Sequence, residues 1–274
     1  MMDARSRFML NLQNFLGRLA ITFVAPFYFI VAHALHYRIR NLRELRRQCS
    51  AAFDAHKGPW LICANHLTMI DSFLLSCAVF SFGSHFTQYK KLPWNLPERS
   101  NFQSNIFLAV LCYLSKCIPV DRGGSRVKMK QVLEQCTYLL RSGHTIMIFP
   151  EGGRSRTGRV DKETFSYGVG RFIQDVENCK IMCVYLRGDK QHKYSLIPAW
   201  GDTFYAQVEV FQPTPVAQEG LRAQREYAAQ IIEQLAQMEE SYFVAHRKRY
   251  RGFKGFREQE EKHGFAISEE NSHR

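Results

Sequence analysis

Residues 60–71 of this chain read Trp-Leu-Ile-Cys-Ala-Asn-His-Leu-Thr-Met-Ile-Asp, an apolar run followed by a polar turn. The apolar residues Trp60–Ala64 predict a buried β-strand, and the mainly apolar residues 69–82 predict a helix. His66 and Asp71 lie five positions apart between these elements. On one regular helix, five residues would separate them by about 140° around the axis. We therefore expect the two side chains to meet only with His66 in the turn and Asp71 in the first helical turn.

The His66–Asp71 pair has two interpretations. Asp71 can accept a hydrogen bond from one imidazole nitrogen, which leaves the other nitrogen as a general base. Alternatively, Thr68 and Asp71 form a capping box, in which the helix dipole stabilises an acid in the first turn. No Gly-x-Ser-x-Gly sequence occurs in the chain, which argues against a serine nucleophile. A catalytic His66 would then deprotonate a substrate rather than an enzyme side chain.

A second apolar run, Thr145–Phe149, predicts another strand and precedes Pro-Glu-Gly-Gly-Arg-Ser-Arg at 150–156. Successive glycines let the backbone approach an anion, and Arg154 and Arg156 offer planar, permanently charged groups for a phosphate. Glu151 would repel a phosphate, so we expect it to accept a hydrogen bond from a substrate hydroxyl or to orient an arginine. The alternative interpretation is a charged, glycine-rich surface turn.

A third segment has a similar composition. Residues 119–126 read Pro-Val-Asp-Arg-Gly-Gly-Ser-Arg and join a predicted strand at 118–120 to a predicted amphipathic helix at 125–142. Ser125 is the expected N-cap of that helix. A helix N-terminus beside Arg122 is favourable for binding an anion. Together, these loops at successive strand ends predict a site for acyl transfer onto a phosphate-bearing alcohol.

The alternation of strands and helices predicts an α/β fold, with a mixed β-sheet covered by helices. Further strands are expected at 86–91, 180–186 and 208–211, and further helices at 106–117 and 221–245. We predict three parts: a membrane-associated helical anchor at 1–50, an α/β domain at 51–220, and a C-terminal helix with a basic, aromatic tail at 221–274.

The net charge of +12 indicates an anionic partner without specifying its kind. Near the N-terminus, the apolar residues 19–35 would make a helix about 25 Å long, short of a hydrocarbon core of about 30 Å. Pro26 is expected to kink or break that helix, and arginines flank it on both sides. This pattern favours a helical hairpin embedded in the membrane interface over a single span, with a core helix of a soluble protein as the alternative. The expected location is the cytoplasmic face of a membrane, in particular the bacterial inner membrane.

The tail at 246–257 contains six Lys/Arg residues and no acid, with aromatic residues between them. Such a segment can lie on an anionic bilayer, bind RNA by stacking and charge, or remain a solvated tail. The eight cysteines form no Cys-x-x-Cys pair, so we expect reduced, mostly buried thiols and no metal site.

Taken in order, three motifs resemble those of the glycerolipid acyltransferase family, which includes the lysophosphatidic acid and glycerol-3-phosphate acyltransferases. They are Asn-His-x4-Asp at 65–71, Val-Asp-Arg at 120–122 and Phe-Pro-Glu-Gly-Gly-Arg-Ser at 149–155. The resemblance covers roughly residues 58–200, and the shared order of the motifs makes a chance match improbable. It implies an α/β acyltransferase domain with an N-terminal helical membrane anchor.

The resemblance implies that His66 is the general base and that Asp71 orients it. It implies direct transfer from a thioester on coenzyme A or acyl carrier protein, with no acyl-enzyme and no cofactor. The expected partners are membrane lipids and acyl carrier protein, and no nucleic acid is expected. The residues expected to contact a phosphoglycerol acceptor are Asn65, Arg122, Glu151, Gly152, Gly153 and Arg154.

The expected reaction is the transfer of a fatty acyl group to lysophosphatidic acid or a related phosphoglycerol. The loop at 152–158 looks closer to that of glycerol-3-phosphate acyltransferases, so glycerol-3-phosphate or a specialised non-glycerolipid alcohol is the alternative acceptor. Two further hypotheses remain open: a membrane-binding or RNA-binding protein with a vestigial site, and a hydrolase.

Overall fold

The computed structural model describes residues 2–121, 123–191 and 195–246. Its helices and strands, in chain order, are α1 (Ala4–Ala34), β1 (Arg38–Ile39), α2 (Leu42–Ala55), β2 (Trp60–Ala64), α3 (Asp71–Val79), α4 (Phe82–Thr87), β3 (Trp94–Asn95), α5 (Ile106–Leu114), α6 (Arg126–Arg141), β4 (Thr145–Ile148), α7 (Gly168–Asp175), β5 (Lys180–Gly188), β6 (Thr203–Phe211) and α8 (Gly220–Ala245).

Six strands form one mixed sheet in the order β1-β6-β5-β2-β4-β3. The pair β5–β6 is antiparallel and every other pair is parallel. Because β2 is parallel to both of its neighbours, β4 and β5, the carboxyl ends of these three strands meet at one edge. Open α/β sheets bind their ligands at this edge. The loops that begin at Asn65 and Phe149 are therefore brought side by side.

The central strand β2 is buried on both faces. Leu61 and Cys63 pack in a core with α6, α7 and α8, whereas Trp60, Ile62 and Ala64 pack in a second core with α2 and α3. A strand covered on both sides needs no polar residue, which explains the uninterrupted apolar run. The predicted mixed sheet covered by helices is confirmed.

The N-terminal segment is one continuous helix of 31 residues that contains Pro26, so the predicted break into a hairpin is wrong. Packing along its length offsets the hydrogen bond that the proline removes. The amide of Gln13 donates to the carbonyls of Tyr113 and Cys117. Further along the helix, the ring of Phe27 lies 6.0 Å from that of Phe107. By length and composition, α1 is the one described helix that could cross a membrane.

Two predicted strands are absent from the described residues. The range 86–91 lies in α4 and a following 3-10 turn, because Ser81 caps α4 by accepting a hydrogen bond from the Ser84 amide. The range 118–120 forms only an isolated bridge, between Val120 and Glu98.

The predicted helix at 125–142 is confirmed as α6, with the Ser125 hydroxyl accepting from the Val127 amide. All eight cysteines are free, and the basic tail from residue 247 lies outside the described residues.

Candidate active site

His66 and Asp71 meet as the spacing requires. His66 lies in the turn after β2, Asp71 is the first residue of α3, and Nδ1 of His66 lies 3.0 Å from Oδ2 of Asp71. The same Oδ2 accepts hydrogen bonds from the backbone amides of Leu67 at 2.6 Å and Thr68 at 2.8 Å, and the Thr68 hydroxyl donates to Oδ1. Asp71 thus organises the turn and orients the imidazole at once. A complete capping box does not form, because the N-cap of α3 is Ile70 and the Thr68 hydroxyl donates to Asp71 instead of accepting from a helix N–H.

The imidazole of His66 is held on its face as well as at its edge. Its ring stacks on Phe149 with centroids 4.1 Å apart and planes 17° apart, and 12% of the side chain is exposed. A carboxylate partner at Nδ1 requires the proton on Nδ1, which leaves the lone pair on Nε2. Nε2 has no hydrogen-bond partner in the described part of the chain. The ring is therefore fixed with a free basic nitrogen, as a general base requires.

Asn65 has a structural task. Its amide nitrogen donates to the Leu186 carbonyl at 3.0 Å, and its amide oxygen accepts from the Leu186 backbone N–H at 2.8 Å. The side chain is buried and extends the pairing of β2 with β5 by one residue. These bonds give Asn65 a role within the protein and leave one N–H of its amide unused, so the predicted substrate contact stays a prediction.

The loop after β4 holds the backbone of His66 from both sides. Oε1 of Glu151 accepts a hydrogen bond from the His66 amide at 2.8 Å, and the Ser155 amide donates to the His66 carbonyl at 2.9 Å. The other Glu151 oxygen faces the Asp161 amide at 3.4 Å. Among the described residues Glu151 has no ion pair with an arginine, and Arg122 lies outside them, so the role of Glu151 in orienting an arginine stays a prediction.

Burial raises the pKa of Glu151 to about 8, although the backbone amides of His66 and Asp161 act in the opposite direction. The carboxyl is therefore largely protonated at neutral pH. A neutral Glu151 does not repel a phosphate. It is therefore compatible with the phosphate site that the sequence predicts in this loop.

The remaining predicted residues of this loop have mixed surroundings. Gly152 has a φ of +69°, a conformation that favours glycine. A β-carbon at Gly153 would meet no atom within 4 Å, so the protein leaves this position open to an incoming group. Arg154 donates to the Ser195 carbonyl at 3.2 Å, whereas Arg156 is exposed. Arg122 lies outside the described residues.

A segment at 195–200 completes the site and was missed at the sequence level. The Ser195 amide donates to the Leu67 carbonyl at 3.1 Å, and the Met69 amide donates to the Leu196 carbonyl at 3.0 Å. Although its backbone is fixed in this way, Leu196, Ile197 and Trp200 are each more than half exposed. The detectable signal was an apolar run interrupted by proline, which fits neither a helix nor a central strand.

A buried polar cluster supports the far end of the same loop. Glu239 of α8 accepts from the Val160 amide at 3.0 Å and from the Tyr185 hydroxyl at 3.2 Å, and pairs with Nε of Arg159 at 2.9 Å. Burial raises the pKa of Glu239, and the Arg159 guanidinium opposes the shift. The signal in the sequence was an acid on the apolar stripe of α8, beside Leu235. Within the described ranges, no group of His, Cys, Asp and Glu could hold a metal ion.

The fold and the site define a mixed α/β protein with a hydrogen-bonded histidine–aspartate pair at the carboxyl edge of its sheet, beside a glycine- and arginine-containing loop. The model of the acyltransferase family matches residues 36–187, more than half of the chain. The chain belongs to the acyltransferase family, which confirms the predicted family and supports acyl transfer as its general activity. Comparison with curated proteins gives no match.

Proposed function

We propose that this protein is an O-acyltransferase that moves a fatty acyl group from a thioester to the hydroxyl of lysophosphatidic acid or a related phosphoglycerol. The observation that carries the proposal is the free Nε2 of His66, held by Asp71 and Phe149 beside an open glycine and two arginines. Family membership supports the acyl transfer itself. The acceptor, the thioester donor and the role of His66 are the proposed part.

In the proposed mechanism, Nε2 of His66 removes the proton of the acceptor hydroxyl as its oxygen attacks the thioester carbonyl. The new C–O bond forms, the C–S bond breaks, and the imidazolium returns the proton to the leaving thiolate. Asp71 stabilises the imidazolium through its 3.0 Å contact with Nδ1. Leu67 and Thr68 hold the carboxylate in place through their amides, so no reorganisation is needed when the charge develops.

The acceptor phosphate would lie beside the loop at 151–156. Arg154 and Arg156 supply permanent positive charge and planar donor geometry, and we retain Arg122 as a third phosphate ligand from the resemblance. The open side of Gly153 allows the closest approach to the backbone. Protonation of Glu151 at neutral pH removes one negative charge from the loop that would receive the phosphate.

The proposed lipid acceptor suits an apolar surface formed by α1 and α5, here termed the α1–α5 surface. Phe23 and Ile30 of α1 are largely exposed, and the nine apolar residues of α5 include none that is buried. Phe27 and Phe107 join the two helices. Because α1 packs against α3, α4 and α5, we propose that it lies in one leaflet rather than crossing the bilayer. Tyr28 of α1 contacts Phe73, in the first turn of α3 after Asp71.

Mass spectrometry of the products tests the proposal. The purified chain is offered mixed acyl thioesters with lysophosphatidic acid, with glycerol-3-phosphate, or with no acceptor. His66→Ala should abolish transfer while leaving vesicle binding intact, and His33→Ala, which alters an exposed histidine of α1, should leave both unchanged. Substantial transfer by His66→Ala would refute the base assignment. Thioester loss at the same rate without any acceptor would instead identify a hydrolase.

A further inference from the structure

A second cleft lies at the opposite end of the sheet from His66. Its volume is about 670 Å³, and its walls include Trp60 and Thr145, the first residues of β2 and β4. The five residues of β2 at about 3.3 Å each place it roughly 16 Å from the catalytic edge. A ligand bound in this basal cleft would not touch the reacting groups, so its role is separate from the chemistry at His66.

The charge of the basal cleft is strongly positive. Within the described ranges, its lining includes four cations and no aspartate or glutamate; the cations are Arg18, Lys57, Lys90 and Lys91. Asp54, just outside the cleft, pairs with Lys57 at 2.9 Å and Lys91 at 3.5 Å. Arg18 and Lys90 have no acidic partner in the described part of the chain. Such a cleft concentrates anions.

The lining of the basal cleft also carries unused polar atoms. Asn14 Oδ1, His56 Nε2, the Tyr89 hydroxyl and His144 Nδ1 are buried without a hydrogen-bond partner among the described residues. Buried polar atoms are normally paired, and the Tyr89 hydroxyl and the His56 imidazole can donate to a bound group, whereas Asn14 Oδ1 only accepts and is not completed by a phosphate oxygen. Burial and the neighbouring Lys116 and Lys90 lower the pKa of His144 to about 4, against a hydrogen bond with the Lys90 backbone, so His144 adds no positive charge to the cleft at neutral pH. Hydroxyl, imidazole, guanidinium and ammonium donors together match the oxygens of a phosphate.

The position of the cleft beside α1 indicates how such a phosphate would arrive. Asn14 and Arg18 lie one turn apart on α1 and face the cleft. Phe15 and Leu19, the next residue in each case, are exposed on the adjoining face of the helix. A lipid whose headgroup entered the cleft could therefore lay its acyl chains along the exposed stripe of α1.

We propose that the basal cleft is a second, non-catalytic binding site for a phosphate ester group, such as the headgroup of an anionic phospholipid. The site would fix the orientation of α1 on the bilayer and so direct the catalytic edge toward the lipid substrate. This role does not depend on which alcohol the acyltransferase uses.

Vesicle flotation of the full chain tests the proposal, with phosphatidylcholine vesicles compared with vesicles that contain one quarter phosphatidylglycerol. The double variant Arg18→Gln/Lys90→Gln should lose about tenfold in affinity for the anionic vesicles. The matched control is Lys162→Gln/Arg222→Gln, which removes the same charge from exposed positions outside the cleft. Equal losses in the two double variants would show that only general electrostatics acts, and would overturn the lipid headgroup as the ligand.

Thermal unfolding in inorganic phosphate, against chloride at equal ionic strength, separates the two sources of the ligand. Phosphate should raise the unfolding temperature of the native chain and not that of the Arg18→Gln/Lys90→Gln variant. A shift that depends on the cleft, combined with unchanged vesicle binding, would support phosphate binding but identify a free anion as the ligand. No such shift and no selective loss on vesicles would refute the site.

Tyr89→Phe supplies a variant that is expected to fold. It removes the unpaired hydroxyl and keeps the buried ring, so the ligand-free variant should unfold at a higher temperature than the native chain. If the hydroxyl donates to the phosphate, the same variant should bind phosphate several-fold more weakly. Higher stability with unchanged phosphate binding would exclude Tyr89 from the site.

Discussion

Replacing Glu151 by glutamine tests whether this residue acts through the backbone of His66. The carboxyl loses its proton near pH 4.5 in the unfolded chain and near pH 8 in the folded one. Between these values the folded state binds more protons, so the stability contributed by this group is complete below pH 4.5 and is lost as the pH rises to 8. Since each unit of pKa corresponds to about 1.4 kcal/mol, the loss amounts to about 5 kcal/mol.

Glutamine has the same shape and no proton to lose. The free energy of unfolding of Glu151→Gln, relative to the native chain, should therefore increase by about 3–4 kcal/mol between pH 5 and pH 8, which is the larger part of the total. Urea unfolding in mild detergent, followed by tryptophan fluorescence at several pH values, measures this difference. Glu177→Gln is the control, because Glu177 is exposed. Parallel pH profiles of the native chain and Glu151→Gln would refute the raised pKa.

Activity distinguishes the positioning role from contact with the acceptor. Glutamine keeps an oxygen for the His66 amide, now bonded at 2.8 Å, so transfer by Glu151→Gln at pH 7 should remain within tenfold of the native rate. Glu151→Ala leaves that amide unpaired, at a cost of about 1–3 kcal/mol, and should lower kcat with little change in the acceptor KM. A large increase in acceptor KM with kcat retained in both variants would instead indicate direct substrate contact.

Three further changes test other parts of the site. Asp71→Asn should lower kcat about a thousandfold or more, because the amide no longer fixes the tautomer of His66; steady-state kinetics measures this. Asn65→Ala should reduce stability by about 2 kcal/mol, since it leaves both backbone groups of Leu186 unpaired; urea unfolding measures the loss. Phe107→Asp should weaken vesicle binding about tenfold by placing a charge on the α1–α5 surface, as flotation would show.

Each of these predictions has a contradicting result. Near-native kcat in Asp71→Asn would remove the orienting role of the carboxylate. An Asn65→Ala variant with native stability and a raised acceptor KM would indicate that the main role of Asn65 is substrate contact. Unchanged flotation of Phe107→Asp would exclude α5 from the membrane surface, with the exposed Val244→Asp of α8 as the matched control.

Local patterns were sufficient where local physics decides the structure. The apolar run of β2 and the Ser125 cap of α6 could both be identified from neighbouring residues alone. The spacing of His66 and Asp71 fixed their geometry for the same reason. Pro26 does remove a hydrogen bond from α1, as expected from the sequence, but the packing of α1 against α5 outweighs that loss. That packing involves residues about one hundred positions apart, which no local pattern records.

The tasks of Asn65 and Glu151 could not be predicted for a related reason. Each side chain bonds to a backbone group on a neighbouring part of the sheet: Asn65 to Leu186 on β5, and Glu151 to His66 after β2. Strand order is a property of the whole fold, so the motif alone identifies these residues without showing what they contact. A polar residue in such a motif can therefore either hold the backbone around the proposed base or bind the substrate.

The site also extends past the segment that carries the family match. The match ends at residue 187, yet the backbone of the segment at 195–200 bonds to the loop of His66. Glu239 of α8 bonds to the Val160 amide and pairs with Arg159, just beyond the loop at 151–156. A buried acid with a raised pKa is costly unless its partners are fixed. Removal of α8 would therefore leave Arg159 without its buried partner and would loosen the loop that clamps His66.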